Sequence, residues 1–323
     1  MYQYTITQWL FFFYFYCFLG WVFESTYVSL KKREFVNRGF MRGPFLPIYG
    51  SGAIMMLVVS MPFQDNLLLT YLAGCVGATL LELVTGAVME ALFKVRYWDY
   101  SYQKFHYKGY ICLSSTIAWG FLTILMTELL HKGVENVVMA IPYQVLSLIT
   151  MIVTVYITVD FTLSFKAAME LRNILIGLEK AKEEMERIRK RLDVIIAVAG
   201  DELETRRLER HEKFDDWLEE IESRKQEHHQ KIDNLMEELE EKFDKVKMRF
   251  RTESAEFAED IREELFELRS KYVLEKERRM QFKKVKDWYQ RGMLRGNPGM
   301  HSSKFEEALE ELKRAANEKI HKK

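Results

Sequence analysis

The chain has 323 residues, with 47 lysines and arginines against 47 aspartates and glutamates, and three cysteines. That balance hides two unlike halves: residues 1–165 hold only 10 of the basic and 9 of the acidic side chains, and residues 166–323 hold the rest. An apolar, aromatic-rich half followed by a highly charged one excludes a single soluble globular domain and predicts a membrane domain joined to a water-exposed one.

The N-terminus lacks a basic leader and a small-residue cleavage motif before the first apolar run, so that run is expected to remain as a helix. Five segments approach the roughly 20 apolar residues that a bilayer crossing needs: 8–30, 44–63, 67–93, 110–131 and 137–163. The second is crowded at its start by Pro44, Pro47, Gly50 and Gly52, and irregular backbone is tolerated at membrane depth only where protein or water surrounds it. Residues 31–42 and 94–108 are rich in Lys and Arg, whereas residues 1–7 and 62–66 have none. The positive-inside rule then puts the N-terminus outside the plasma membrane and the C-terminus in the cytoplasm. Cys17, Cys75 and Cys112 lie within apolar segments without paired spacing, as small buried side chains do.

The third segment holds the candidate site. Glu82, Gly86 and Glu90 are spaced by four and share one helix face, with Thr85 beside them. Carboxylates are costly in hydrocarbon and turn toward protein or a water-filled cavity. Glu24 sits as far from the first basic loop as Glu90 does from the second. A shift of 66 residues lays Gly20 on Gly86, Val22 on Val88, Glu24 on Glu90 and Gly43 on Gly109, and lays Arg38 and Arg42 on Lys104 and Lys108. This is the pattern of two parallel repeats, each a Gly-x-x-x-Glu followed by a basic loop. Burial cost predicts that Glu24, Glu82 and Glu90 converge between the first and third helices, and that Arg38 or Arg42 folds back onto one of them. Structural ion pairing would use the same residues. Ala73 with Gly77 and Gly74 with Ala78 mark a face where helix backbones can approach closely.

From residue 166 the last apolar helix is expected to continue as a cytosolic coiled coil through residue 291. Leu171, Ile174, Leu178, Ala181, Met185, Ile188, Leu192, Ile195 and Ala199 recur at alternating three- and four-residue spacing. Gly200 and Asp201 predict an interruption, and the seam resumes at Phe214, Leu218, Ile221, Lys225, His228, Ile232, Leu235 and Leu239, with a stutter through Phe243, Val246 and Phe250. Two copies are expected to pair along it in parallel, with an antiparallel hairpin folded at Gly200 as the alternative. The helix should end near Gly292, and a capping box of Ser303 with Glu306 should start a last amphipathic helix bearing Phe305, Leu309, Leu312, Ala316 and Ile320. The whole reads as an all-α protein: a polytopic membrane helix bundle (1–165), a long coiled coil (166–291), and a loop with an amphipathic helix (292–323).

No glycine is followed by lysine, which excludes a phosphate-cradling Gly-x-x-x-x-Gly-Lys loop; His-Glu-x-x-His, Cys-x-x-Cys and Gly-x-Ser-x-Gly are also absent. Acidic and basic residues alternate along the cytosolic half, with no basic stripe for nucleic acid. Neither a cofactor nor a metal is expected, and an enzyme is the less favoured reading.

Two further stretches carry a resemblance. They are Asn37-Arg38-Gly39-Phe40-Met41-Arg42-Gly43-Pro44 with Pro47-Ile48-Tyr49-Gly50-Ser51-Gly52, and Glu82-x-x-Thr85-Gly86-x-x-x-Glu90 with Trp98-Asp99-Tyr100-Ser101 and Gly109-Tyr110-Ile111-Cys112-Leu113. Over residues 8–165 the chain resembles the CmpB-type family of ABC-transporter permeases, also called type IV. The resemblance implies a membrane permease subunit with a separate ATPase partner, with membrane lipids around it. Glu24, Glu82, Thr85, Glu90, Arg38 and Arg42 are the candidate substrate or ion cluster. The competing readings are a membrane-anchored coiled-coil scaffold or sensor, and a membrane enzyme on a lipid or phosphorylated carrier that would use these arginines on phosphate.

Overall fold

A computed structural model describes residues 3–204, 231–249, 257–282 and 287–318. The chain forms two units, one of residues 1–175 together with 285–323, the other of residues 176–284.

The first unit begins with α1 (Ile6–Lys32), started by a capping box between Thr5 and Gln8 and ended by Arg33 in the left-handed conformation. α2 (Pro47–Ser60) starts on Pro47, whose missing N–H costs nothing at a first helical position, and passes into a single 3₁₀ turn, Met61–Phe63. α3 (Leu67–Phe93) is capped by the Asn66 side chain, which accepts from the amides of Leu68 and Leu69. A short antiparallel hairpin, β1 (His106–Tyr107) with β2 (Ile111–Cys112), leads into α4 (Leu113–Leu125). One π-helical turn (Met126–Leu130) joins α4 to α5 (His131–Ala140), and α6 (Tyr143–Glu204) follows.

Four helices are long and apolar enough to cross a membrane: Ile6–Lys32, Leu67–Phe93, Leu113–Ala140 and the first part of α6. The chain is a membrane protein on that basis. The second predicted segment is shorter than expected, since its helix covers only Pro47–Phe63. At 1.5 Å per residue it reaches about 25 Å, less than the roughly 30 Å hydrocarbon core. The break between the fourth and fifth segments also moves. The sequence placed a turn near residues 132–136, but Lys132 pairs with Glu128 one turn back and Glu135 accepts from the Tyr4 hydroxyl, so the helix continues. It stops at Ile141, extended as the residue before Pro142 must be.

α2 packs between α1 and α3, and α3 packs along α4. Phe12, Tyr16, Met56, Leu57, Ala78, Met126 and Leu146 form the core of this unit. Close approaches demand glycine: a Cβ on Gly74 would lie 2.2 Å from Thr123 Oγ1, and one on Gly50 would lie 2.4 Å from Cys17 Sγ.

The second unit packs residues 176–204 of α6 with α7 (Lys231–Arg249) and α8 (Phe257–Phe282). Ala181, Met185, Ile188 and Leu192 are buried against Leu235, Leu239, Phe243 and Tyr272. Arg189 reaches Glu238 (3.7 Å) and Lys242 reaches Asp193, so α7 runs in the same sense as α6. Tyr272 of α8 donates to Met236 O while Leu265 and Leu268 pack against Val246, so α8 runs in the opposite sense. Two expectations change here. α6 continues through Gly200 and Asp201 without the predicted interruption, and the seam from Ala181 to Leu192, on which two copies were to pair, is covered within the chain. The seam positions Phe214, Leu218, Ile221, Lys225 and His228, with Phe250, lie outside the described residues, as do the side chain of Ile232 and residue Ile320.

After the second unit the chain returns to the first as α9 (Trp288–Gly296) and α10 (Glu306–Glu318). The helix expected to end near Gly292 does not reach it: Gly292 lies inside a separate helix, α9, that Asp287 caps and that runs to Gly296. The predicted Ser303–Glu306 box does not form, because α10 starts at Glu306; Ser302 Oγ instead accepts from the Phe305 amide (3.2 Å) and donates to Lys94 O (2.7 Å).

Candidate functional site

α3 carries Glu82, Gly86 and Glu90 on one face, as their spacing requires. Glu82 is 6% exposed and has three neutral donors: the Tyr100 hydroxyl (2.9 Å), the Trp119 indole N–H (3.0 Å) and the Ser115 hydroxyl (3.3 Å). Thr85 is half-buried beside it. Glu90, two turns nearer the end of the helix, accepts from Arg96 Nε (2.7 Å) and the Tyr110 hydroxyl (2.5 Å). Gly86 is where the Tyr110 and Trp98 rings cross α3; a Cβ there would sit 3.2 Å from Tyr110 and 3.3 Å from Trp98.

The loop after α3 is built around Arg96. Its guanidinium also donates to Lys108 O (3.1 Å), lies 3.8 Å from Asp99 Oδ1 and stacks 4.8 Å from the Tyr110 ring. The hydrogen bond to Glu90 holds Arg96 above its usual range, against the opposing effect of burial. Burial works against the charge of Asp99, but the Ser101 side chain and amide and the charge of Arg96 pull it below the usual carboxylate range. Gly109 has φ +75°, and a Cβ there would lie 2.3 Å from Asp99 Oδ1, so this turn admits only glycine.

α1 repeats the arrangement with different sources. Glu24 accepts from the Tyr49 hydroxyl (2.6 Å) and lies 3.6 Å from Arg38 Nε. Gly20 is where Tyr49 crosses, with a would-be Cβ 2.3 Å from the Tyr49 Cβ and Cγ. Each Gly-x-x-x-Glu therefore receives a tyrosine over the glycine and an arginine on the carboxylate. Pro47 and Leu113, the first residues of α2 and α4, are themselves 66 apart. The arginines, however, come from positions 38 and 96, not from a pair 66 apart. The expected single cluster is divided: Arg38 meets Glu24 as predicted, Arg96 takes Glu90, and Glu82 has neutral partners. Arg42 pairs with none of the three.

Residues 11–165 match the family described as "Putative ABC-transporter type IV". The membrane half of the chain belongs to that family. No curated protein and no solved structure matches the chain. The family's domain, with its apolar helices, makes this a transporter-related membrane protein.

The ABC-transporter type IV domain ends before α9, yet α9 and the turn after it lie on its motif loops. Arg38 Nη1 donates to Gly296 O (3.2 Å) and Asn297 Oδ1 (3.0 Å). Asn297, 2% exposed, donates in turn to Gly39 O (2.8 Å) and Met293 O (2.9 Å). Arg96 and His301 exchange backbone hydrogen bonds (2.7 and 2.9 Å), and Gln290 donates to Glu170 (2.9 Å). Both basic loops are thus tied to one C-terminal segment.

Sequence reasoning missed Asp160, which is 5% exposed in α6 and accepts the Gly43 amide (2.8 Å). As the lone carboxylate of its apolar run, it could have been singled out. Tyr49, Tyr100 and Tyr110 stand in the motif stretches that carry the resemblance, but nothing in the sequence marked them as partners of the carboxylates; Ser115 and Trp119 left no signal, because hydroxyls and indoles are ordinary in apolar helices. Among the described residues no group of three or more His, Cys, Asp or Glu side chains is arranged to hold a metal ion.

Proposed function

We propose that this chain is the permease subunit of an ABC-type transporter, oriented with its N-terminus outside and its basic loops and C-terminal segment in the cytoplasm of a bacterial-type plasma membrane. It works with a separate ATPase, since its sequence has no nucleotide-binding loop. The observation that carries the reading is Glu82, a buried carboxylate on a membrane-length helix of the family domain, held only by neutral donors. Glu24 and Glu90 each face an arginine, Arg38 at 3.6 Å and Arg96 at 2.7 Å. Glu82 has no such tie and serves as the exchangeable charge of the transport path, with Thr85 beside it. Ionisable groups at such positions mark ion and proton pathways in membrane proteins. Pairing of two permease copies falls to the membrane helices, because the long seam is covered within the chain.

The test is purification of the tagged chain from its native membrane in mild detergent. An ATPase should copurify in stoichiometric amount, and its activity should fall in Glu82→Leu but not in a surface variant such as Glu267→Gln. A stable complex without ATPase, with cellular phenotype unaffected by Glu82→Leu, would overturn the proposal.

A sensor reading has one observation of its own. The unit of residues 176–284 is inserted between two chain segments that both belong to the membrane unit. Replacing residues 176–284 by a short flexible linker separates the readings: a sensor loses its signal, whereas a permease keeps basal transport.

A further inference from the structure

Arg42 stands apart from the other arginines of the motif loops. Among the described residues its guanidinium makes no ion pair and no hydrogen bond, although Arg38 and Arg96 are both tied to carboxylates. It lies flat over the Trp288 ring, 4.1 Å from the centroid. Stacking covers a guanidinium's face and leaves its edge, with five N–H donors, free for a planar or tetrahedral anion. That edge borders a cavity of about 160 Å³ whose other walls are Gly43, Tyr156, Val159, Asp160, Trp288 and Tyr289. The volume is several times the roughly 30 Å³ that one liquid water occupies, so a phosphate group fits.

Burial pulls the Arg42 guanidinium below its usual range, and the charge of Arg295 acts in the same direction; Asp160 and Tyr289 act the other way. Of the two carboxylates nearby, Asp160 already accepts the Gly43 amide and Asp287 caps α9 through the Gln290 amide. Arg295 is engaged with Ala316 O, leaving Arg42 as the available donor. On the side of α6 that leads away from the cavity, Val159 (55%), Val155 (62%) and Ile152 (58%) form an exposed apolar stripe. Trp288 and Tyr156 are also exposed, as aromatic side chains at a membrane interface are.

We propose that this cavity is a phosphate-binding site, with Arg42 as the bidentate donor, placed to take the headgroup of an anionic phospholipid whose chains follow the Val159 stripe. Trp288 and Tyr289 come from the C-terminal segment and Arg42 and Tyr156 from the family domain, so the ligand would hold the two together. The site stands independently of whether the protein transports anything.

The experiment uses the full chain in a phosphate-free maltoside. It is titrated with dihexanoyl phosphatidylglycerol, with inorganic phosphate and with dihexanoylglycerol, while calorimetric heat is followed, together with the part of the tryptophan fluorescence that a Trp288→Phe control removes. Saturable binding of the phospholipid and not of dihexanoylglycerol is expected, and Arg42→Gln should weaken it about tenfold or more. Gly292→Ala keeps every charge, but its Cβ would meet Arg42 Nη1 at 2.7 Å and displace a flexible side chain, so it should weaken binding too. Inorganic phosphate binding as tightly as the phospholipid would keep the phosphate site and assign it to a soluble ligand. Equal affinity in wild type and both variants, equal binding of dihexanoylglycerol, or no saturable binding of either phosphate compound would overturn the proposal.

Discussion

Asn297→Ala isolates the docking of the C-terminal segment onto the motif loops. The wild-type side chain makes two donor bonds to Gly39 O and Met293 O and accepts one from Arg38. At roughly 0.5–1.5 kcal/mol for a neutral hydrogen bond and 1.5–3 for one to a charged group, the three sum to about 2.5–6 kcal/mol. Water can reach Arg38, which is about one-fifth exposed, and Met293 O keeps its bond from the Asn297 amide, so the realised loss should lie near 2–4 kcal/mol. Since each 1.4 kcal/mol is a factor of ten, the docked segment should open about 30- to 700-fold more often. Hydrogen exchange in detergent is the assay. Amides of α9 and of the Arg96–His301 bridge should exchange faster by that factor, while those in the middle of α3 stay unchanged. Exchange within threefold of wild type over residues 288–305 would refute the reasoning, and uniform acceleration including α3 would show that the segment is part of one global unit.

The two glycines under tyrosines should respond unequally. Gly20→Ala forces a Cβ to 2.3 Å from the Tyr49 ring root and should cost about 2–3 kcal/mol, whereas Gly86→Ala meets Tyr110 at 3.2 Å and should cost about 1 or less, read as shifts in detergent melting temperature. Glu82→Gln should be milder than Glu82→Leu: the amide oxygen can accept from Trp119 and Ser115, and the Tyr100 hydroxyl can turn to accept from the NH₂, whereas leucine leaves the half-buried Tyr100 hydroxyl and Trp119 N–H without an acceptor at roughly 1–3 kcal/mol each, Ser115 keeping Cys112 O. Similar melting temperatures for the two variants would contradict that account. Asp99 gives a pH dependence: its folded carboxyl is depressed, so its contribution is complete above the ordinary value near 4 and fades as pH falls through the folded value, and exchange at residues 99–110 should rise in that acidic window and not at pH 7–9. A cysteine at Ile188 should not cross-link two chains in native membranes, because Ile188 is 4% exposed within its own chain; a disulfide dimer would reopen pairing along the seam.

Much of the fold was legible because its signals are local. α1 and α3 announce themselves by apolar length, and the seam of α6 by its spacing. What failed was whatever depends on distant partners. Lys132 and Glu135 look like loop residues until Glu128 and Tyr4 are seen to take them up, which moves the turn to Pro142. The segment of residues 176–204 looks like a dimer seam because period alone does not say whose side chains fill it. At the site, the need to pair Glu24 and Glu90 was predictable from burial cost, and so was an arginine partner for Glu24. The choice of Arg96 for Glu90 depends on a left-handed Lys94 and a reversal over Arg96 that no spacing rule encodes. Asn297, about 260 residues from the loop it holds, is farther still from any local rule.

The three carboxylates differ in a way that follows from depth. Glu90 lies three residues from the end of α3 and Glu24 eight from the end of α1, and loop arginines meet both while about a fifth of each arginine side chain stays exposed, so each pair keeps its attraction without full desolvation. Glu82 lies eight residues, or about 12 Å, farther along α3 from that end than Glu90. Bringing an arginine there would strip its hydration at a cost of several kcal/mol, which one ion pair does not reliably return. A tyrosine, a tryptophan and a serine can be buried far more cheaply and still direct three donors at one carboxylate. The result is a carboxylate whose three donors are all neutral side chains. Structural ion pairing would not call for that arrangement, and it is the observation on which the proposed transport role of this helix face rests.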